Sequence, residues 1–237
     1  MGFLGNPFFI LIMSATLFVI ATPIGNLEDI TLRALRILKE VDVVVCEDTR
    51  VTGKLLAHFE IKKPMLSYNA HATEGKHEKI LDILREGKDI ALVSDAGTPT
   101  ISDPGSMLVD TVRHELPDVT VVSVPGASAL AAALSVSGVP SSEFLFLGFL
   151  PHKKGRETLF AEIAKSERPV VFYESSHRIL KALASLAEKL PADRMVVVCR
   201  ELTKLFEETV RGTAPEVLAY YIKNTDKVRG EFVVIVR

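Results

Sequence analysis

Cysteine is scarce in this chain of 237 residues, and that scarcity excludes several kinds of site. Its two cysteines, Cys46 and Cys199, lie far apart and lack the spacing of zinc ligands. Each follows three consecutive valines, a pattern typical of a buried strand. We therefore expect two reduced core thiols rather than catalytic ones, no metal site, and a protein of the cytoplasm.

An excess of either charge is also absent. The 28 basic and 30 acidic residues give a formal net charge of −2. Proteins that bind nucleic acids usually carry a basic excess, so any RNA site here must be a local patch. With 48% hydrophobic and 24% charged residues, the chain has the composition of a globular protein and not of a disordered one.

Charge is missing altogether before Glu28. The apolar run at residues 8–13 therefore lacks the basic flank of a signal peptide, and it is too short to span a bilayer. A strand pattern begins soon after Met13. We expect Met13 to be the native start and residues 1–12 to be an N-terminal extension outside the core.

Short β-branched runs alternate with helical patterns along the chain, which predicts an α/β protein. In the first half, strands are predicted at 16–21, 41–46, 65–68, 90–94 and 119–124, and helices at 29–40, 49–58, 74–86, 103–114 and 128–137. Strands separated by helices favour a mostly parallel sheet.

The second half changes character after a turn-rich segment at residues 138–142. Strands are predicted at 144–147, 170–173, 195–199, 206–211 and 232–236, and the close spacing of 195–199 and 206–211 indicates an antiparallel hairpin. The second sheet should therefore be mixed. We predict an N-terminal α/β domain at 14–126, a helix and linker at 127–142, and a C-terminal α/β domain at 143–237.

Three loops that follow strands of the first domain carry the most information, because ligands of open α/β sheets bind at the carboxyl ends of strands. The first, at residues 22–26, lacks the three spaced glycines of a dinucleotide-binding loop and is otherwise a tight turn. The second, at 94–105, is longer than a plain connection needs. There Gly97 permits close approach of a ligand to the backbone, Asp95 can accept hydrogen bonds, and Asp103 with Pro104 is predicted to start a helix.

The third loop, at residues 125–129, precedes a helix whose first N–H groups can bind an anion such as a carboxylate. Simple helix initiation explains this loop equally well. Together the three loops predict a rim of backbone groups around a small polar ligand, and composition and spacing do not name that ligand.

Several motifs occur together in a recognisable order. They are Thr22-Pro23-Ile24-Gly25-Asn26-Leu27, Glu47-Asp48-Thr49-Arg50, the 94–105 loop, Pro125-Gly126, Glu174-Ser175-Ser176-His177-Arg178, Arg200-Glu201-Leu202-Thr203-Lys204 and Gly230-Glu231-Phe232. With this joint pattern, residues 17–236 resemble the tetrapyrrole-methylase superfamily. Within it, the chain is similar to the bacterial branch that methylates the ribose 2′-hydroxyl of a cytidine in small-subunit ribosomal RNA.

The resemblance implies two α/β domains with S-adenosylmethionine in a cleft between them, and a homodimer. It implies cofactor contacts at Pro23, Ile24, Gly25, Asp95, Ala96, Gly97, Thr98, Ile101, Ser128, Ala129, Glu174 and Leu202. Substrate contacts are expected at Asn26, Asp48, Arg50, His177, Arg178 and Lys204.

Methyl transfer to a ribose requires loss of the hydroxyl proton, which a carboxylate can accept or a cation can favour by stabilising the alkoxide. Glu47 and Arg50 are the candidates for these two catalytic roles. Each polar motif also has a plainer interpretation: Asp48 or Thr49 caps the next helix, Arg50 lies in water, and Lys204 is a solvated lysine. The basic run at residues 152–156 is either a solvated face or a phosphate contact.

Two other functions remain open. A small-molecule methyltransferase of the same superfamily agrees with the acidic pI of about 6.3. It also agrees with the end of the sequence at Arg237, because many members of the RNA branch continue into a helical segment. The second alternative is a non-catalytic nucleotide- or RNA-binding module, which leaves the long 94–105 loop without an explanation.

Overall fold

The computed structural model describes residues 15–69 and 73–237, and the predicted extension at 1–12 and the start at Met13 lie outside them. The chain forms two compact units. The first contains the described residues up to Ile20, with Leu32–Asp95 and Asp103–Pro125, and the second contains Ala21–Thr31, Ala96–Ser102 and Gly126–Arg237. Each unit has its own five-stranded sheet.

The first unit has a sheet in which all pairs are parallel, with the strand order β3-β2-β4-β1-β5. Its strands are β1 (Thr16–Ile20), β2 (Val43–Cys46), β3 (Met65–Ser67), β4 (Ile90–Val93) and β5 (Thr120–Val124). Its helices are α1 (Leu32–Glu40), α2 (Thr49–His58), α3 (Glu74–Arg85) and α4 (Ser106–Glu115).

Helical spacing of apolar residues explains how these helices pack. In α1 the buried residues Ala34, Ile37 and Leu38 follow the i, i+3, i+4 pattern of one face. Helices α3 and α4 pack buried leucine, isoleucine and valine side chains against Leu17 and Leu92 of the sheet. The chain leaves β2 towards β3 and leaves the adjacent β4 in the opposite direction, so their carboxyl ends form a topological switch point.

The second unit has a mixed sheet with the strand order β6-β7-β10-β8-β9, in which only β6 and β7 are parallel. Its strands are β6 (Leu145–Phe149), β7 (Val170–Ser175), β8 (Met195–Arg200), β9 (Glu208–Thr213) and β10 (Glu231–Val236). Its helices are α5 (Ala129–Ser137), α6 (Arg156–Lys165), α7 (Ile179–Lys189) and α8 (Ala214–Lys223). Alternate residues of β10 enter two hydrophobic clusters, Val234 in one and Val233 in the other.

The predicted α/β class, the parallel first sheet, the mixed second sheet and the β8–β9 hairpin are confirmed. Both cysteines are buried free thiols, as expected. In the part of the chain that the structure describes, no helix is long and apolar enough to cross a membrane.

Two predicted helix starts are wrong. The helix expected from residue 29 begins at Leu32, because a short 3-10 turn at Leu27–Asp29 precedes it. Asp103 does not cap α4: that helix begins at Ser106 after Gly105, whose φ of 120° suits glycine. Asp103 is instead half-buried, with Ser94 as its hydrogen-bond partner.

Candidate functional site

The three predicted ligand loops converge within the second unit. Thr22 and Gly97 exchange backbone hydrogen bonds of 2.9 and 3.0 Å, which join the first loop to the second. Thr98 Oγ1 donates to the Ala127 carbonyl at 3.2 Å, which joins the second loop to the third. The predicted contacts at Pro23, Ile24, Gly25, Ala96, Gly97, Thr98, Ile101, Ser128 and Ala129 therefore belong to one set of interlocked loops.

Glycine is required where these loops cross. Gly97 is buried with a φ of +83°, and an added Cβ would lie 3.3 Å from Ile24 Cγ2. An added Cβ on Gly126 would lie 3.0 Å from Ala21 Cβ. The absence of a side chain at these two positions thus allows the loops to pack closely against each other.

The start of α5 supplies uncapped donors. Ser128 is the N-cap residue of α5, and its side chain makes no capping hydrogen bond. The N–H groups of the first helical turn thus receive no acceptor from the capping side chain. Such a terminus is suited to bind a carboxylate.

Leu202 lies in the same part of the second unit. It is buried in the hydrophobic cluster against which Ile24 and Ala129 pack. Its neighbours Glu201 and Thr203 have φ angles of 50° and 67°, which are uncommon for residues other than glycine. Backbone strain of this kind is enriched at ligand sites. Thr100 and Ser102 of the second loop also have positive φ angles, of 73° and 64°.

Lys204 lies across Gly25 of the first loop. A Cβ on Gly25 would clash with the aliphatic stem of Lys204. The Lys204 ammonium donates to Glu201 and Glu231 at 2.8 Å each, so it is not a freely solvated lysine. Lys204 therefore braces the loop that holds Gly25 and Asn26. Asn26 accepts a hydrogen bond from the Glu28 amide at 3.0 Å and so fixes the end of that loop.

Glu174 is held by ion pairs and a hydrogen bond within the second unit. Its carboxylate is fully buried, with Arg156 2.8 Å from Oε2 and Arg178 2.8 Å from Oε1. The Ser175 amide also donates to Oε1 at 2.9 Å. Arg178 is further held by a 2.9 Å bond to the Leu150 carbonyl. Glu174 and Arg178 thus stabilise the second unit, whereas the adjacent His177 is exposed.

Four carboxylates gather at the switch point of the first unit. Glu47 and Asp48 follow β2, Asp95 follows β4, and Asp103 interacts with Ser94. Burial and the charges of Asp95, Asp103 and Asp48 raise the pKa of Glu47. Burial is also the main reason that the pKa of Asp103 is raised. Glu47 is therefore a carboxylate with increased proton affinity at a strand end.

Asp48 caps the next helix and Arg50 lies in solvent, which is the plainer interpretation of their motif. Asp48 is the N-cap of α2, and its carboxylate accepts from the Arg50 amide at 2.8 Å. Hydrogen bonds from the Arg50 side chain and amide lower the pKa of Asp48 to about 2. The Arg50 side chain is 85% exposed, so its outer face remains open to solvent.

A cleft of about 500 Å³ lies in the first unit between the β3–α3 region and the start of α4. Its lining residues are Tyr68, Asn69, Glu74, His77, Pro104, Gly105, Ser106 and Met107. None of them was a predicted site residue, although Pro104 and Gly105 end the second predicted ligand loop. Tyr68 and Asn69 follow β3, so the strand-end rule that selected the other loops would also have selected them. Among residues 15–69 and 73–237, no cluster of side chains is suited to hold a metal ion.

Comparison with known proteins identifies the chain's relatives. The family model described as Tetrapyrrole (Corrin/Porphyrin) Methylases matches residues 16–218. A protein of Thermotoga maritima named ribosomal RNA small subunit methyltransferase I is 47% identical over 219 residues, covering 92% of this chain and 96% of the relative. A protein of the same name from Xylella fastidiosa is 47% identical and covers 94% of this chain and 81% of the relative.

Solved structures share the fold. A cobalt precorrin-4 methyltransferase of cobalamin biosynthesis superposes with a TM-score of 0.66 at 22% identity, covering 94% of this chain and 95% of the other. The methyltransferase CobJ gives a TM-score of 0.68 at 18% identity, covering 94% of each chain. At these identities the likeness concerns the fold alone.

The interlocked loops fit the cofactor of such enzymes. S-adenosylmethionine carries a carboxylate that suits the uncapped start of α5. The matching model covers most of the chain, and the relatives cover nearly all of it. This chain belongs to the tetrapyrrole (corrin/porphyrin) methylase family and is an S-adenosylmethionine-dependent methyltransferase.

Proposed function

We propose that this enzyme methylates the ribose 2′-hydroxyl of a cytidine in small-subunit ribosomal RNA. The names of relatives that are 47% identical over more than nine-tenths of the chain support an RNA substrate. The observation that carries the proposal is the Glu47 carboxylate, whose pKa is raised by burial and by three neighbouring carboxylates. A ribose hydroxyl needs such a base, because it is only weakly acidic.

In this proposal Glu47 accepts the proton of the hydroxyl as the new bond to carbon forms. Bound S-adenosylmethionine supplies an electrophilic methyl group with a good thioether leaving group. A base with a raised pKa holds the proton more firmly, and it still acts at neutral pH when its pKa lies below 7. The loops around Gly97 and Ser128 bind and orient the donor, and such orientation supplies much of the rate of a displacement.

Arg50 is the proposed contact to RNA phosphate. Its guanidinium is exposed and rests against Asp48, which fixes its position without burying it. A planar guanidinium can bind a phosphate with two hydrogen bonds. Lys153 and Lys154 are exposed on the second unit and carry positive charge in a chain of net charge −2, and His177 is exposed in the same unit. Arg178 forms an ion pair with Glu174, so the proposed RNA contact involves only the exposed part of its guanidinium.

We also propose that the enzyme acts as a homodimer and works in the cytoplasm, where the ribosomal subunits are. Sedimentation at micromolar concentration tests the dimer, since a fully active monomer would contradict it.

Transfer of a labelled methyl group tests the class of acceptor. The enzyme is incubated with tritiated S-adenosylmethionine and, separately, small ribosomal subunits, naked small-subunit RNA and tetrapyrroles. We expect label in RNA from one or both RNA samples and none in the tetrapyrroles. Glu47→Gln should lose most of this activity while retaining cofactor affinity in calorimetry. Label in the tetrapyrrole sample alone would contradict an RNA substrate.

A further inference from the structure

The cleft of the first unit has two different walls. One wall carries Tyr68 and Asn69 after β3 with Glu74 and His77 of α3, and the other is formed by Pro104 to Met107 at the start of α4. Glu74 and His77 are three residues apart on one helix, so their side chains lie on the same side of it. The volume of about 500 Å³ is in the range of small-molecule sites.

A hydrogen bond between the Tyr68 and His77 side chains fixes the first wall. Tyr68 Oη lies 3.0 Å from His77 Nδ1, and the ring centroids are 5.8 Å apart. Burial raises the pKa of Tyr68, so its hydroxyl stays protonated. Tyr68 is buried and its ring is tilted by 43° from that of His77. The half-buried His77 ring, held by the Tyr68 hydroxyl, is therefore the aromatic surface on which a flat heterocycle can pack.

The cleft adjoins the carboxylate cluster of the same unit. The Tyr68 amide donates to the Cys46 carbonyl at 2.8 Å, and Glu47 is the first residue after β2. On the other wall, Pro104 directly follows Asp103. The backbone that carries Tyr68 therefore lies next to the backbone that leads into the proposed base.

The chemistry of the lining favours an uncharged ring with an amino group. Glu74 contributes a carboxylate to the lining. A carboxylate disfavours a phosphate and attracts a hydrogen-bond donor. Asn69 and Ser106 add groups that can both donate and accept.

We propose that this cleft binds the base of the acceptor nucleotide, turned out of the RNA stack, and that Glu74 accepts a hydrogen bond from its exocyclic amino group. The inference rests on the proposed function and adds a base-recognition site to it. Bases that are unstacked from RNA commonly pack on aromatic side chains and expose their polar edges to the protein. A carboxylate that accepts from the cytosine amino group also disfavours uracil, which presents a carbonyl oxygen at that position.

Filling the cleft tests its occupancy. Ser106 is exposed at the start of α4, so Ser106→Trp narrows the cleft from its mouth without altering the core. His114→Trp places the same side chain at an exposed site two turns further along the helix. We expect kcat/KM for small ribosomal subunits or their RNA to fall at least about tenfold in Ser106→Trp, and to stay near wild type in His114→Trp.

Cofactor affinity and thermal unfolding, measured on the same variants, should remain at wild-type values. Weaker binding of S-adenosylmethionine to folded Ser106→Trp would assign the cleft to the cofactor and overturn the inference. Wild-type activity of Ser106→Trp on RNA would overturn it while leaving the proposed function intact. Absence of RNA methylation by the wild-type enzyme would overturn both.

Glu74→Gln tests recognition of the base, because glutamine can donate to a carbonyl where glutamate cannot. The methylated position is mapped in the wild-type product, and subunits carrying cytidine or uridine there are compared. The wild-type enzyme should prefer cytidine by about tenfold or more, and Glu74→Gln should narrow that preference. A preference unchanged by Glu74→Gln would contradict the role of this carboxylate.

Discussion

The Asp48 amide donates a 3.0 Å hydrogen bond to Asp95 Oδ1. This bond ties the loop after β2 to the loop after β4, at the switch point of the first sheet. It keeps Glu47, the residue before Asp48, within reach of the Asp95 charge, which is one reason that the pKa of Glu47 is raised. Asp95 also belongs to the second loop, in which Gly97 exchanges backbone hydrogen bonds with Thr22.

Removing a neighbouring charge should shift the pH dependence of catalysis. Asp103 raises the pKa of Glu47, so Asp103→Asn should lower that pKa. Glu47 must be ionised to accept a proton, and activity is lost as pH falls through its pKa. The acid limb of the kcat profile should therefore move to lower pH in Asp103→Asn.

The profile is measured with both substrates saturating. Asp193→Asn removes an equal charge from an exposed site of the second unit and should leave the acid limb in place. An acid limb that stays at the wild-type pH in Asp103→Asn would mean that another group is the base.

The hydroxyl of Ser128 should matter for the cofactor and little for the fold. Because it makes no capping bond, Ser128→Ala should change the free energy of unfolding by less than about 0.5 kcal/mol. Loss of one hydrogen bond to the cofactor should raise the Kd for S-adenosylmethionine about threefold to tenfold. Calorimetry and denaturant unfolding measure the two effects, and unchanged affinity would remove Ser128 from the cofactor site.

Gly25 and Lys204 should behave as a coupled pair. Gly25→Ala forces the stem of Lys204 away from its position between Glu201 and Glu231. Such overpacking should lower the free energy of unfolding by about 1 kcal/mol or more and weaken cofactor binding. The same change in a Lys204→Ala background should cost less, with a coupling energy of at least about 0.5 kcal/mol in a double-mutant cycle. Additive effects would show that Lys204 does not brace the loop.

Alanine substitution of the two arginines in the predicted substrate site should affect different properties. It should change folding stability at Arg178 and RNA binding at Arg50. Arg178→Ala leaves Arg156 as the remaining ion-pair partner of the buried Glu174 and should cost about 3 kcal/mol of folding free energy. Arg50→Ala should leave the unfolding midpoint unchanged and reduce the salt dependence of RNA binding by about one unit of log slope.

Arg50→Lys provides a control for charge, and it should also weaken RNA binding because lysine lacks the planar fork. An Arg50→Ala variant with wild-type RNA affinity and salt slope would exclude the phosphate contact. A fully stable Arg178→Ala variant would contradict the buried ion pairs.

Sequence patterns predicted the strands and most helices because apolar periodicity reports burial directly. They failed at Asp103, where local capping preference favoured a helix start but burial and the interaction with Ser94 placed that side chain elsewhere. They could not show that Glu174 and Arg178 form an ion pair, because such a pair depends on the folded structure and produces no periodic pattern in the sequence.

The three cofactor loops were predictable as strand ends, whereas their hydrogen-bonded crossings were not. The Tyr68–His77 pair joins a strand end to a helix, and its aromatic surface becomes visible only in three dimensions.

The position of the transferred methyl group is the most direct test of methylation at the ribose. RNA labelled by the enzyme with tritiated S-adenosylmethionine is hydrolysed in alkali, which cleaves a phosphodiester bond only beside a free 2′-hydroxyl. We predict that the label is recovered in an alkali-resistant dinucleotide that yields 2′-O-methylcytidine on enzymatic digestion. Label recovered in mononucleotides, as methylation of a base would give, would contradict methyl transfer to the ribose.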